Sequence, residues 1–344
     1  MPGNNGLFPE NELTLAPNSQ FMKRVVGLLL LIYGIAGQAQ ESSSVFNFLK
    51  LPTSSHAAAL GGQNISIIED DASLTFHNPA LLSSVSDKTL NLNFMNYMQG
   101  NNTGSAAFVK TARERNTWGV SAQFASYGSM KETTEANEIL GTFSAIDMAI
   151  NGLYSYNLND YWAGGVTAKM IYSKYGDYNS FAMAVDLGVN YYNEDRDISF
   201  SVVAANLGGQ IKAFGEERDR LPFDLQAGFS IGMSHAPIRF SLTMTDLTRW
   251  SSDYYFNPEK ESSFGKILLN HFVIGVDILP TDYLYVSAGF NLRRANEMKA
   301  AGSSHGAGLT VGTGLQLSRF KLGLAYGKYH VSAHSLLFNV SYSL

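Results

Sequence analysis

The 344-residue chain is 45% hydrophobic but only 15% charged, with a formal net charge of −5. A soluble domain carries about 25% charged residues, so this surface is not that of an ordinary soluble protein, and the mild acidic balance gives no reason to expect nucleic acid. The absence of cysteine excludes a lipid-anchored lipoprotein, a disulfide framework and any thiolate ligand or nucleophile.

The N-terminus reads as an export signal. Met22-Lys23-Arg24 is a basic n-region, and Val25 to Ala36 is an apolar run of h-region length. Gly37-Gln38-Ala39 supplies small residues for cleavage before Gln40, so 22–39 is read as a signal peptide. Residues 1–21 contain no basic residue and read as a stretch upstream of the true start at Met22. The apolar run falls short of the roughly 20 residues a membrane helix needs, and no longer one follows.

Residues 40–88 lack long alternation. They contain Phe46-Asn47-Phe48-Leu49, Ala57 to Gly62, Glu69-Asp70-Asp71 and Asn78-Pro79-Ala80-Leu81-Leu82. Asn78 suits a helix N-cap and Pro79 the first helical position, where a missing N–H costs nothing. A short, half-apolar segment of this kind needs a surface to pack on, and reads as a plug inside or beneath a barrel formed by 89–344.

From Thr89 onward apolar and polar residues alternate, as in Phe223 to Met233, which gives each segment one greasy and one wet face. The expected strands are Thr89–Met98, Ser105–Thr111, Thr117–Met130, Phe143–Asn157, Tyr161–Tyr175, Ser180–Tyr192, Asp197–Ala205, Phe223–Ser234, Ile238–Thr245, His271–Leu279, Tyr283–Arg293, Leu309–Leu317, Lys321–Tyr329 and Ser335–Leu344. That is about fourteen, an even number as bacterial single-chain barrels require. Alternate connections are tight and carry Asn, Asp or Pro, such as Leu158–Asp160 and His235–Pro237. Those on the other side include the long Lys131–Thr142, Asn206–Pro222, Asp246–Asn270 and Arg294–Gly308. Short periplasmic turns and longer surface loops are the pattern of outer-membrane barrels. The fold expected is therefore all-β: a transmembrane antiparallel β-barrel with an N-terminal plug, in the outer membrane of a Gram-negative bacterium.

Side-chain type sets the phase. Ile238, Phe240, Leu242 and Met244 point out and Arg239, Ser241 and Thr243 in, because a basic residue at the lipid midplane costs about 2–4 kcal/mol. Phe272, Ile274, Val276 and Ile278 point out, with Asp277 inward. Tyr127, Trp162, Tyr172, Tyr175, Tyr191, Tyr283 and Tyr329 lie near strand ends, where an interfacial belt would sit. Small inward residues such as Ala182, Ala184 and Gly188 leave room for the plug.

Little in the sequence points to catalysis, and no enzyme is expected. The seven histidines are scattered. His330 and His334 flank a hairpin and read as a solvated pair rather than metal ligands. Glu69-Asp70-Asp71 reads as a polar turn or a partner for basic groups in the lumen, with a cation site the lesser alternative. No cofactor is called for. Two surface loops are candidate partner-binding elements: Asp246–Asn270, with Trp250, Tyr254, Tyr255 and Phe256, and Asn206–Pro222, with Arg218 and Arg220. Exposed aromatics in a long loop mark either a protein-binding patch or a cover over the barrel mouth.

Several ordered blocks carry a resemblance. Phe48-Leu49-Lys50-Leu51-Pro52-Thr53-Ser54-Ser55 with Ala57 to Gly62, Asp70-Asp71 with Asn78 to Leu82, and Gly141 to Asp147 form the first three. Ile171 to Tyr175 with Ser180-Phe181 and Asp186 to Val189 follow, then Leu221 to Gly228 with His235-Ala236-Pro237 and Leu247 to Trp250. Together they resemble the PorQ family of type IX secretion system proteins of the Bacteroidetes, related to the PorV and FadL-like barrels. The resemblance implies a FadL-like barrel that anchors a PorZ-like surface protein beside the PorU/PorV attachment complex, which processes cargo and joins it to lipopolysaccharide. The alternative from another class is a FadL-like transporter of small hydrophobic molecules. The lack of a proline inside any strand leans against a sideways opening in the wall.

Overall fold

The computed structural model describes residues 44–98, 101–113, 115–134, 136, 138–251, 263–298, 306–330 and 333–344. The signal segment and Tyr254, Tyr255 and Phe256 lie outside the described residues. Fourteen antiparallel strands pair with their sequence neighbours, and the first closes on the last. They are β1 (Thr89–Met98), β2 (Asn101–Arg113), β3 (Asn116–Thr133), β4 (Ile139–Asn157), β5 (Trp162–Tyr175), β6 (Tyr178–Asn193) and β7 (Ile198–Lys212). The circuit continues with β8 (Asp224–Gly232), β9 (Ile238–Met244), β10 (Phe272–Thr281), β11 (Leu284–Asn291), β12 (Leu309–Gln316), β13 (Phe320–His330) and β14 (Ala333–Ser343). Every expected strand is present. The β1–β14 ladder runs from Thr89↔Ser343 to Asn96↔Leu336, so no edge is left along the seam.

The alternation behaves as expected. Along β9, Arg239, Ser241 and Thr243 are buried while Phe240 is 44% exposed. Leu336, Phe338 and Val340 of β14 face outward at 41–48% exposure. Such an apolar exterior with fully paired backbone is what a hydrocarbon layer tolerates.

Three expectations change. The expected loop Lys131–Thr142 is mostly strand: β3 continues to Thr133 and β4 begins at Ile139, so the two form a ribbon longer than their neighbours. Tyr127, Tyr175 and Tyr329 do not join the aromatic belt. The hydroxyls of Tyr127 and Tyr175 donate to the buried Asp147 carboxylate at 2.6 and 3.0 Å, and Tyr329 is buried against the Arg294 guanidinium. Strand-end position alone does not separate a headgroup tyrosine from one turned inward to satisfy a carboxylate. Finally, a proline does fall within a strand: Pro280 is the penultimate residue of β10, where the β10–β11 register shifts between Ile278 and Thr281. The β3–β4 register shifts at Tyr127-Gly128, with Gly128 at φ +70°. The β6–β7 register shifts between Val185 and Leu187, opposite Asn206 at φ +59°. The ladders resume on both sides of each β-bulge, so the barrel stays closed.

Residues 44–88 fill the lumen. Near the outer mouth Val45 N–H donates to the carbonyl of Arg220 at 3.1 Å. Phe46 and Phe48 pack on Ala125, Ala149, Ile171, Ala182 and Leu221. A short helix, Ser55–Ala59, is capped by the Ser54 hydroxyl, and Ala57, Leu60, Ile67, Leu74 and Leu81 form the plug's own core. Asn78 caps the 3-10 turn Pro79–Ser84 through Ala80 N–H, with Pro79 at its first position, as the sequence indicates. The segment leaves at Lys88, whose carbonyl accepts the Leu344 N–H. Wall glycines permit the close fit. A Cβ on Gly289 would stand 2.1 Å from the Gly61 nitrogen, and one on Gly165 would stand 2.3 Å from the Pro79 carbonyl.

Candidate functional site

The plug–wall contact is asymmetric, and that asymmetry defines the site. On the β9–β13 side the plug is fastened by ion pairs at three levels. Lys50 pairs with Asp246 at 3.4 Å near the mouth. In the middle, His56 and Glu69 of the plug meet Arg239 of β9 and Asp277 of β10. Toward the periplasmic end, Asp70 pairs with Lys321 of β13 at 2.5 Å.

The middle cluster is the most completely built. Imidazolium His56 donates from Nδ1 to Glu69 Oε2 at 2.7 Å and from Nε2 to Asp277 Oδ1 at 2.8 Å. Arg239 donates through Nη2 to Glu69 Oε1 at 2.5 Å and through Nε to Asp277 Oδ2 at 2.9 Å. Ser287 of β11 donates to Asp277 Oδ1 at 2.6 Å. The Tyr285 ring stacks on His56, 3.9 Å between centroids and 4° from parallel. Two cations and two carboxylates thus sum to zero charge, with His56 and Asp277 fully enclosed. Burial by itself would strip the proton from His56. The Glu69 and Asp277 carboxylates outweigh it and hold the imidazolium up to about 10. Burial likewise opposes the Glu69 charge, but His56 and Arg239 hold that carboxyl down to about 2.

The Glu69-Asp70-Asp71 run therefore serves as partner for basic groups of the lumen, as its acidity implies, with Asp71 capping the turn at Ser73 instead. The part played by His56 was not legible, because its partner Asp277 lies 221 residues away. The available signal was Arg239 and Asp277, both inward on lipid-crossing strands and directly opposed in the β9–β10 register. Such a pair marks a polar, ion-paired lumen at this level, though it is neutral by itself and does not point to His56.

The opposite, β3–β8 side is held differently. A polar cavity of about 40 Å³ separates the plug from the wall there, lined by Thr53 and His77 of the plug and Asn151, Thr167, Lys169 and Asp186 of the strands, among others. Thr53 Oγ1, His77 Nε2, Asn151 Oδ1 and Thr167 Oγ1 are buried and without a protein partner. A space of this size accommodates roughly three waters, which would satisfy them. Burial, with Lys169 close by, pushes His77 down to about 4, so it is neutral at pH 7. The cavity reaches the β7 interruption: Lys169 pairs with Asp186 at 2.6 Å and donates to Asn206 Oδ1 at 2.9 Å, and Asn206 N–H donates to Asp186 Oδ1 at 2.7 Å. The plug is thus fastened by ion pairs on the β9–β13 side, whereas on the β3–β8 side it is held by apolar packing and neutral hydrogen bonds such as Asn78 to Ser201, with the polar cavity between them.

The described members of the proposed partner-binding set, Trp250, Arg218 and Arg220, lie in surface connections and not in the charged cluster. Trp250 is 41% exposed, donates its indole N–H to the Leu247 carbonyl at 2.7 Å and stacks near Phe264. Phe264 opens a helix, Phe264–Asn270. Arg218 and Arg220 are exposed in the β7–β8 connection. His334 hydrogen-bonds the Tyr326 hydroxyl.

No protein-family model and no curated protein matches the sequence. Solved structures do. CymD, a monoaromatic hydrocarbon channel, superposes with a TM-score of 0.55 at 13% identity, covering 87% of this chain and 98% of CymD. The Pseudomonas putida toluene transporter TodX gives 0.52 at 12% identity, covering 87% of this chain and 98% of TodX. At such identities the likeness shows the fold alone: a closed antiparallel β-barrel.

Proposed function

We propose that this protein is a plug-gated outer-membrane transporter of small hydrophobic molecules. The observation that carries the reading is a lumen-filling plug, ion-paired to β9–β13 and bordered by a small polar cavity lined by residues of β3–β8, inside a barrel of the TodX and CymD fold. Those two proteins are a toluene transporter and a monoaromatic hydrocarbon channel. In the structure the lumen is shut, since a 40 Å³ polar cavity holds water and not an aromatic ring. Transport then requires the plug to swing or loosen about its latched side. A hydrophobic solute freed there would leave toward lipid by local opening at the β7 bulge, beside the Lys169–Asp186–Asn206 cluster. No covalent chemistry is involved, and the protein acts without a cofactor. Uptake of radiolabelled toluene by cells lacking the gene tests the reading: uptake falls on deletion and returns with the wild-type copy. Unchanged uptake removes it.

A second reading is favoured by the ordered sequence blocks and by the exposed Trp250–Phe264 pair. In it the barrel is a rigid anchor in a type IX secretion system, retaining a PorZ-like protein and the PorU/PorV complex, with outer-membrane lipids around it. Replacing Trp250, Tyr254 and Tyr255 by Ser then releases the retained protein while the barrel stays folded. Full retention by that triple variant removes the loop assignment.

A further inference from the structure

The β3–β4 ribbon stands above the membrane with open edges. On β4 the outward apolar series Ile146, Met148, Ile150, Tyr154 and Tyr156 spans ten residue steps, or about 24 Å at a 45° tilt, which matches the apolar band of about 25 Å in such barrels. Above Ile146 the outward residues become Ser144 and Thr142, both exposed. The ribbon therefore extends past the lipid band by about six residues, roughly 20 Å along the strand. Pairing with the flanking strands stops at its base. The β2–β3 ladder ends at Asn102↔Ser126 and the β4–β5 ladder at Ala145↔Tyr175, with one further bond from Gly176 N–H to the Ser144 carbonyl. Above that level β3 and β4 pair only with each other, from Ser129↔Ser144 to Thr133↔Ile139.

The two edges differ. Because the Ser144 carbonyl points toward β5, the N–H and C=O of Thr142, two residues away, point the same way, beyond the end of the β4–β5 ladder at Ala145↔Tyr175. This edge reads Ile-Leu-Gly-Thr-Phe-Ser from 139 to 144, without charge or proline, and Ile139 and Leu140 are 60% and 66% exposed. The β3 edge carries Lys131 and Glu132, the kind of charges that discourage strand addition. A two-stranded ribbon is marginal in water and gains from a third strand.

We propose that the Ile139–Ser144 edge is a docking site for an extended strand of a protein outside the cell, added by backbone pairing. The ladder itself specifies the occupant, since only a strand satisfies alternating N–H and C=O groups. A second copy of this chain fits less well. Two barrels in one membrane, related by an axis along its normal, bring their β4 strands together in parallel, the weaker arrangement. The proposal is independent of what crosses the lumen.

The test places a photo-crosslinking residue at Leu140, and in a separate strain at Lys131 on the opposite edge, in intact cells of the native host. A discrete adduct with an exported protein is expected from position 140 and not from 131. Thr142→Pro removes the edge N–H and should lower the adduct at least tenfold, while Thr142→Val retains it; heat-modifiable migration on gels confirms that each barrel is folded. In parallel, the Thr142 amide of the wild-type protein should exchange hydrogen at least tenfold more slowly in the native envelope than after purification. An adduct with the chain itself, equal adducts at both edges, no adduct, an adduct indifferent to Thr142→Pro, or equal exchange in the two states overturns the proposal.

Discussion

Replacing His56 by alanine probes the latch directly. In the folded protein the two cations and two carboxylates balance, and Asp277 has no exposure at all. Removing the imidazolium leaves Glu69 and Asp277 to share Arg239 alone, a net buried charge of one, together with an empty slot under the Tyr285 ring. Breaking a buried, hydrogen-bonded pair by deleting one partner costs about 3–5 kcal/mol. The barrel ladder does not depend on His56, so the penalty falls on the plug-in state relative to a plug-loosened one. At about 1.36 kcal/mol per decade, the loosened population rises roughly 10²- to 10⁴-fold. Hydrogen exchange followed by mass spectrometry reads this population: amides of 72–82 in the plug should exchange faster by that factor, whereas those of β4 and β5 should not change. Plug exchange within threefold of wild type would refute the latch. Equal acceleration in the wall would show that His56 supports the whole barrel instead.

Other outcomes follow from the same geometry. His56 is held up to about 10, so its contribution is complete below its ordinary 6.5 and fades as pH climbs toward 10. Glu69 is held down to about 2, so its contribution is present above its ordinary 4.5 and is lost as pH falls toward 2. Open probability in planar bilayers should therefore be lowest between about pH 4.5 and 6.5 and rise on either side, steeply at the alkaline end. Gly289→Val puts side-chain atoms onto the Leu60–Gly61 backbone, which a Cβ alone would approach to 2.1 Å; a folded barrel with raised conductance is expected. Ile150→Lys places a cation on the lipid face at mid-band and should lower unfolding stability in lipid vesicles by about 2–4 kcal/mol.

The barrel was legible because the membrane imposes a strict code. With lipid on one side and a packed lumen on the other, each strand must alternate, and a one-residue slip inverts every side chain. The phases of β9, β10 and β14 are written in Arg239, Asp277 and Phe338. The Asn78-Pro79 turn was legible for local reasons, since its cap and its first residue are adjacent. The latch was not. His56 sits in an Ala-rich helix where nothing local marks it, and its partners are brought together only by barrel closure. The height of the β3–β4 ribbon was hidden as well, because Lys131 to Glu138 has the composition of a loop while its flanks still pair. The tyrosine misplacement has the same origin, since the Asp147 that turns Tyr127 and Tyr175 inward acts across strands.

The most direct test of the account is paired measurement, in the native host, of toluene uptake and of exported protein held on the cell surface when the gene is deleted and then restored as wild type or His56→Ala. Deletion should lower uptake, wild type should restore it, and His56→Ala should raise it above wild type by loosening the plug. Unchanged uptake in all three strains, with surface protein lost on deletion alone, would contradict transport and leave the anchor as the function.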